Sequence, residues 1–267
     1  MTPRKLRTLV LSYYKEYGRH TLPWRKTRDP YKILISEVML QQTQVERVIP
    51  YYGKFLKRFP SVQTLSDAPL SDVLRVWQGL GYNRRAKMLH EAARTVVTEY
   101  GGSFPKTAVA LERLPGVGPY TAGAVAAFAY NEDTLLLETN IRTVIVHHCF
   151  QDQESVADSE IRTVLEKAQP KGMAREWQWA LMDYGSHLKR NGVRTNHKVR
   201  GYVKQTAFKG SSREARGAIL RTLAAGTKRS LSTILGEERK EQVSAELLKL
   251  VREGLVEKRN GVYCLKD

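Results

Sequence analysis

The sequence has little cysteine, no long apolar run and few acidic residues for its size. Its two cysteines, Cys149 and Cys264, are far apart and form no C-x-x-C pair. That spacing argues against both a disulfide framework and a thiolate metal cage. No stretch has the length and apolarity of a transmembrane helix or of a signal-peptide core. We therefore expect a cytoplasmic protein that is neither secreted nor bound to a membrane.

The shortage of acidic residues leaves a large positive charge. The chain of 267 residues has 44 Lys and Arg against 27 Asp and Glu, a net charge of +17 and a pI near 9.9. The imbalance is steepest over residues 185–230, which contain 12 basic residues and one acidic residue, Glu214. Such a charge favours a polyanionic partner, and nucleic acid is the first candidate because neutralising its phosphates releases counterions.

Helical periodicity dominates the first two hundred residues, so the sequence predicts a mainly α protein. Residues 1–208 form the predicted all-α domain, and its basic segment is 186–208. Residues 209–267 differ, with helical patterns at 213–225, 231–237 and 240–253. They are followed by two short strand patterns around the Asn260-Gly261 turn. Three helices and a hairpin predict a small winged helix-turn-helix domain at the C-terminus.

Three segments contain residues suited to chemistry on DNA: 36–45, 114–122 and 137–140. Gly116 and Gly118 allow the backbone to approach an anion, and the helix that follows offers unpaired N–H groups at its start. Glu37, on an apolar helix, is suited to be an acid with a raised pKa. Glu138 can supply an anion that stabilises a positively charged sugar. Together these groups are those needed to break a sugar–base bond.

Segments 36–45 and 114–122 closely resemble the helix-hairpin-helix (HhH-GPD) superfamily of DNA glycosylases, and most of all its MutY-type adenine glycosylases. The resemblance covers roughly residues 1–188 and implies a two-lobed all-α glycosylase fold. It implies that Glu37 is the general acid, that Glu138 stabilises the oxocarbenium-like sugar and that Asn140 orients the site. Lyase members of the superfamily have a lysine nucleophile where this chain has Tyr120. Since a phenol cannot form an imine, a monofunctional hydrolase is expected.

The same resemblance implies a set of DNA contacts. Tyr82 corresponds to an aromatic wedge that fills the gap left by a flipped base, while Gln41 and Gln42 probe the base stack. Trp24 would pack against the flipped base, and Arg25 would hydrogen-bond to it. The hairpin that would bind the backbone beside the lesion contains Leu114, Gly116, Val117 and Gly118.

The chain departs from the family pattern in three ways. Glu138 replaces an aspartate, which leaves open the same role, a different substrate or weak activity. The four cysteines that usually hold an iron–sulfur cluster correspond to Lys189, Asn196, Val199 and Gln205, none of which ligates iron as a thiolate does. We therefore expect no metal and no cofactor, with Lys189, Arg190 and Arg194 contacting phosphates instead. The third departure is the winged helix, which stands where MutY-type enzymes have a domain that reads 8-oxoguanine.

The sequence thus predicts a base-excision-repair glycosylase, monomeric and nucleoid-associated, that acts on duplex DNA with a mismatch or lesion. Adenine opposite 8-oxoguanine or guanine is the leading substrate. The alternatives are thymine or uracil opposite guanine, hypoxanthine or another modified base, and a non-catalytic lesion-binding or regulatory protein. The winged helix has either DNA or a protein as its partner. Its helix at 240–253 contains three glutamates, so the wing or segment 213–229 is the alternative phosphate contact.

Overall fold

The computed structural model describes residues 1–201 and 207–267, and its regular structure is almost entirely helical. Chain contacts divide the protein into two compact units. The first unit comprises Met1–Glu37, Pro105–Arg113 and Val117–Lys204, and the second comprises Val38–Phe104, Leu114–Gly116 and Gln205–Asp267. The predicted mainly α fold is confirmed. The proposed domain boundary at residue 208 stays a prediction.

Within the residues that the structure describes, the first unit is built from six helices and the start of a seventh. They are α1 (Pro3–Tyr17), the start of α2 (Pro30–Leu40), α7 (Ala108–Leu111), α8 (Pro119–Val125), α9 (Thr139–Cys149), α10 (Asp158–Ala168) and α11 (Ala174–Arg190). Helix α11 packs against α9 and α1, and α10 packs against both of these. Leu6, Ile145 and Trp177 are among the fully buried side chains. Each contributes roughly 1.5–3 kcal/mol by leaving water.

Two local features position the elements that the site needs. Gly185 lies where α11 approaches α9 so closely that a Cβ atom would meet the Asn140 carbonyl oxygen. Helix α8 continues as a π-helical turn, Ala126–Tyr130, which ends at Asn131 in the left-handed region. Arg175 donates to the carbonyl oxygens of Phe128 and Ala129 in that turn, so the widened helix end is held from α11.

The second unit contains the end of α2 and helices α3 (Val45–Arg58), α4 (Val62–Asp67), α5 (Leu70–Trp77) and α6 (Arg84–Tyr100), together with the C-terminal segment. Helix α6 packs against α4 and α5, and α3 packs against α5. Trp77, Phe55 and Phe59 are fully buried aromatic side chains of this core. The ring centre of Phe55 lies 5.0 Å from that of Phe59 and 5.9 Å from that of Trp77, distances at which aromatic pairs stabilise a core beyond the burial of their area.

The C-terminal module, residues 207–267, contains α12 (Ser212–Ala224), α13 (Lys240–Arg252), β1 (Val256–Arg259) and β2 (Val262–Leu265). The strands are antiparallel, and both Asn260 and Gly261 have positive φ, which confirms the predicted hairpin turn. Lys228 forms an isolated antiparallel bridge with Tyr263 of β2. The predicted helix at 231–237 was wrong. That segment is a turn, which Gly236 ends at φ 94° before a 3-10 turn, Glu237–Arg239.

Within the two described ranges, no helix has the length and apolarity needed to cross a membrane.

Candidate active site

Glu37 is a buried carboxyl on an apolar helix. Helix α2 begins at Pro30, whose fixed φ suits a first helical turn. The residues around Glu37 on this helix, Ile35, Val38 and Met39, are buried. The side chain of Glu37 is only 6% exposed. Burial raises its pKa to about 7, and the charge of Glu138 adds to the increase, while Arg25 and a hydrogen bond from Tyr120 oppose it. A carboxyl with that pKa retains its proton near neutral pH.

Glu138 is an anion held by the start of a helix. It is the N-cap of α9, where its Oε1 accepts the backbone N–H groups of Asn140 and Ile141, each at 2.8 Å. Its Oε2 accepts from Asn140 Nδ2 at 3.1 Å and from Thr139 Oγ1 at 3.3 Å. Helix N-termini favour negative charge, so a carboxylate suits this position at the start of α9. A glutamate therefore fills the capping position that shorter residues usually take.

Tyr120 links the two carboxyls. It lies in the first turn of α8, and its hydroxyl hydrogen-bonds to Glu37. Burial, with the charges of Glu37 and Glu138, raises the pKa of Tyr120 well above its ordinary value. The phenol therefore stays neutral and is available as a hydrogen-bond donor. The first unit thus brings together a protonatable acid, a neutral donor and a fixed anion.

Tyr120→Phe is expected to move the pH dependence of any step that needs protonated Glu37. Tyr120 stabilises the ionised carboxylate, so its loss raises the pKa of Glu37. In the wild type such a step should slow as pH rises through the Glu37 pKa of about 7, and in the variant it should slow about one pH unit higher. A pH–rate profile checks this, with Tyr130→Phe as the control, since Tyr130 lies one helical segment further along. An unchanged or lower midpoint would contradict the assignment.

Arg25 is held by an ion pair that the sequence did not reveal. Its Nη1 and Nη2 donate to Asp183 Oδ2 and Oδ1 at 2.6 and 2.8 Å, and the side chain is 4% exposed. Arg19 donates to the same carboxylate. Although burial alone would raise the pKa of Asp183, these two arginines hold it below its ordinary value. The ion pair fixes a positive charge near Glu37, and the contact between Arg25 and a flipped base stays a prediction.

The remaining predicted pocket residue, Trp24, is buried on a 3-10 turn, Pro23–Arg25. The Arg25 guanidinium lies over the ring of Trp179 at 5.3 Å and over that of Tyr14 at 5.8 Å. No signal in the sequence singled out Trp179 or Asp183. Both lie on α11, where their spacing of four residues puts them on the same face of the helix.

The predicted hairpin has the expected helical segments on either side, and α7 packs against α8. Gly116 has φ 70°, and a Cβ atom there would collide with the Met88 side chain, so the position requires glycine. Gly118 is exposed and caps α8. Leu114 and Val117 are buried, so only their backbone groups could reach a phosphate. The hairpin contact with DNA stays a prediction.

The predicted wedge residues have unusual backbones. Gln42 and Tyr82 have φ of 56° and 47°, two of only four non-glycine residues with positive φ in the described ranges. The other two are asparagines, which adopt this region readily, whereas tyrosine and glutamine do so at a cost. Residues held in such conformations concentrate at functional sites. Tyr82 is also 39% exposed, so its ring is accessible to a ligand.

Arg85, which nothing in the sequence singled out, is hydrogen-bonded to the two loops that contain Gln42 and Tyr82, called the wedge loops below. Its guanidinium donates to the carbonyl oxygens of Val38, Met39, Gln41, Leu80 and Gly81 and to the Thr43 hydroxyl. The distances run from 2.7 to 3.3 Å. Burial lowers the pKa of Arg85 to about 10, which still leaves it charged at neutral pH. Loop 41–43, which includes Gln41, and loop 79–82 are therefore held by one side chain.

The basic segment after α11 is held by ordinary hydrogen bonds. Val156 and Val199 form a parallel bridge, and Asn196 accepts from Thr143. Neither Asn196 nor Val199 fits the role of an iron ligand, while Gln205 lies outside the described residues. In the ranges that the structure covers, no group of three or more His, Cys, Asp or Glu could hold a metal ion. The cluster of the wider family therefore does not fit these residues.

The three basic residues predicted to contact phosphates differ in their surroundings. Lys189 Nζ donates to Thr139 Oγ1 at 2.8 Å, and Thr139 also donates to Glu138. Burial lowers the pKa of Lys189, and the charge of Glu138 partly offsets this. Arg190 and Arg194 are exposed. Lys189 therefore belongs to the surroundings of the Glu138 anion, whereas the two arginines remain available for phosphate.

Comparison with known proteins agrees with this geometry. Residues 35–171 match the HhH-GPD superfamily of base excision DNA repair proteins, over about half of the chain. An adenine DNA glycosylase of Buchnera aphidicola is 39% identical over 178 residues, which is 66% of this chain and 51% of the relative. That of Homo sapiens is 44% identical over 145 residues, 51% of this chain and 26% of the relative. The chain thus spans about half the length of the curated relatives it matches first.

Solved structures with the same fold include two enzymes that act on DNA. A thermostable thymine-DNA glycosylase superposes with a TM-score of 0.61 and 31% identity, over 69% of this chain and 86% of that one. Endonuclease III, trapped in a covalent intermediate with DNA, superposes with a TM-score of 0.58 at 20% identity, over 73% of this chain and 89% of that one. The resemblance to MutY-type proteins noted in the sequence is confirmed. The chain belongs to the HhH-GPD superfamily of base excision DNA repair proteins.

Proposed function

We propose that this protein is a monofunctional DNA glycosylase of base excision repair that releases adenine opposite 8-oxoguanine or guanine. The observation that carries the proposal is the grouping of Glu37, Tyr120 and Glu138 in one unit, with Glu37 buried at a pKa of about 7. The names of the relatives support the base, since those described above are adenine DNA glycosylases.

The proposed reaction needs a proton for the departing base and a negative charge that stabilises the sugar left behind. An adenine leaves poorly as an anion, so Glu37 donates its proton to the departing base. The sugar then carries positive charge, which the Glu138 carboxylate stabilises from its fixed position at the start of α9. Asn140, through its Nδ2, keeps that carboxylate oriented. Water completes the hydrolysis and leaves an abasic site.

The partner in this proposal is duplex DNA with a mismatch or lesion, bound by a monomer in the cytoplasm. The net charge of +17 supports binding to a polyanion. Gly116 and Gly118 offer exposed backbone to a phosphate. The exposed ring of Tyr82 would fill the gap that the flipped base leaves.

A second candidate keeps the reaction and changes the base to thymine or uracil opposite guanine. The similarity to a thymine-DNA glycosylase at 31% identity favours it. Glu138, in place of the family aspartate, also leaves room for a different substrate, because the extra methylene changes where the anion sits.

Single-turnover base release on a panel of duplexes tests the proposal. The panel pairs adenine, thymine, uracil, hypoxanthine and alkylated bases with guanine and with 8-oxoguanine. Release of adenine alone supports the first candidate, and release of thymine or uracil opposite guanine supports the second. Tight binding without release from any duplex would contradict both and indicate a lesion-binding protein.

Glu138→Gln is expected to slow base release by about 100-fold, since it removes the anion that faces the developing charge. Glutamine preserves the length of the side chain and one oxygen for the α9 N–H groups, so the protein should stay folded. Glu138→Asp is the matched control, because it restores the residue of the family pattern and keeps the charge. If the glutamine and aspartate variants were equally active, an electrostatic role for Glu138 would be excluded.

A further inference from the structure

A side chain of the C-terminal module, that of Arg213, contacts the predicted wedge residue Tyr82. Arg213 lies in the first turn of α12, and its Nη1 donates to the Tyr82 hydroxyl at 3.2 Å. Its guanidinium lies 5.8 Å from the centre of the Tyr82 ring and 5.9 Å from that of Phe208. All three residues belong to the second unit. The guanidinium is therefore within cation–π range of both aromatic rings.

Tyr82 is held by a second arginine as well. The Arg85 guanidinium, which is bonded to the backbone of both wedge loops, lies 5.5 Å from the Tyr82 ring centre. Tyr82 has φ 47°, a conformation that a tyrosine leaves readily unless its surroundings hold it. Arg85 holds the base of the loop, whereas Arg213 holds the hydroxyl end of the ring. The Tyr82 ring is therefore contacted both by Arg85 of α6 and by Arg213 of the C-terminal module.

Arg213 is placed by folded structure. Helix α12 packs against α5, and Lys87 of α6 donates to the carbonyl oxygen of Glu253, at the end of α13. Arg216, one turn after Arg213, pairs with Glu253 and with the buried Glu246. The module is thus attached to the helices of the second unit by contacts that do not involve Arg213.

We propose that Arg213 is a positioning residue for the Tyr82 wedge, through which the C-terminal module takes part in base flipping. Arg213 holds the phenol ring in the orientation from which it enters the base stack. The inference rests on the proposed function, because a wedge has a role only where a base is flipped.

The test measures base flipping and chemistry separately. The probe is a duplex with adenine opposite guanine and 2-aminopurine beside the adenine, followed by fluorescence and by single-turnover release. Arg213→Ala should lower both the flipping amplitude and the single-turnover rate by about fivefold, as expected for a single contact of this kind. Arg213→Lys should recover most of the loss. Arg221→Ala is the matched control, because it removes an exposed arginine from the same helix.

A double-mutant cycle with Tyr82→Phe separates positioning from simple attraction to DNA. If Arg213 acts through the Tyr82 hydroxyl, the double variant should be no worse than the poorer single variant. If Arg213 only contacts a phosphate, Arg213→Ala weakens binding to every duplex with an unchanged single-turnover rate at saturation, and the two effects add. That result, or equality of Arg213→Ala and Arg221→Ala, would overturn the proposal.

Amide hydrogen exchange of the protein without DNA tests the role of Arg213 independently of whether the protein releases a base. Arg213→Ala should speed exchange at residues 79–83, and Arg221→Ala should not. Faster exchange and reduced flipping, with no base released by the wild type, would contradict the proposed hydrolysis and support the role of Arg213. Unchanged exchange in Arg213→Ala would overturn the positioning role, whatever the activity.

Discussion

Glu37→Gln is expected to slow base release by about 1,000-fold, within the range that general acid catalysis supplies. Glutamine fills the same space and keeps a polar side chain next to Tyr120, but it has no acidic proton to give to the departing base. Single-turnover release measures the effect, and gel-shift titration of the same duplex should give an unchanged affinity. A variant that released base at the wild-type rate would exclude Glu37 as the acid.

The same substitution should increase stability at alkaline pH. Glu37 has a pKa of about 7 in the folded protein and 4.5 as its ordinary value. Folding therefore takes up a proton between these values, and the free energy of unfolding falls as pH rises through this window. Above about pH 7 the penalty is complete, at about 3 kcal/mol for a shift of this size. Glu37→Gln should recover part of it at pH 8 and little at pH 4, as measured by urea unfolding.

Asp183→Asn is expected to destabilise the protein by about 3–5 kcal/mol, the usual effect of leaving a buried charge without its partner. Asp183 accepts hydrogen bonds from both Arg25 and Arg19, but Arg25 is 4% exposed while Arg19 is 30% exposed. The cost should therefore come mainly from Arg25. Urea unfolding at pH 7 measures it, and Arg19→Ala, which removes the more exposed partner, should cost clearly less.

A paired replacement is the control for that explanation. Arg25→Met with Asp183→Leu removes both charges and should recover most of the lost stability, since well-packed apolar residues often match a buried ion pair. The double variant also removes the positive charge that lowers the pKa of Glu37, so its base release should persist to higher pH. Equal destabilisation by the single and double variants would mean that Asp183 matters for packing and not for charge.

The parts of the fold that the sequence predicted well depend on neighbours along the chain. Helical spacing of the apolar residues predicted α1. The Asn260-Gly261 pair predicted the hairpin, because few turn types accept two consecutive residues with positive φ. The segment at 231–237 misled the prediction, since Leu231 and Ile234 have helical spacing. Gly236 ends the segment before a helix can form.

In the candidate site, too, the predictable features depend on neighbours along the chain, and the others depend on residues far away in the sequence. Glu37 and Tyr120 were predicted from the strings around them, and the structure adds the hydrogen bond between them. The partners of Arg25 and Arg85 could not be predicted, because Asp183 is 158 residues from Arg25 in the chain. The carbonyl groups that Arg85 contacts have no sequence signature at all. Long-range ion pairs and side-chain bonds to backbone arise from packing, which a single sequence does not display.

The hydrogen bonds of Arg85 limit which insertions and deletions the protein can tolerate. Loop 41–43 and loop 79–82 are fastened to the same guanidinium, so an insertion or deletion in one would misplace the acceptors that the other depends on. The two loops should therefore tolerate changes in length only when altered together. A chimera with a relative should therefore exchange both loops as one unit and retain the arginine.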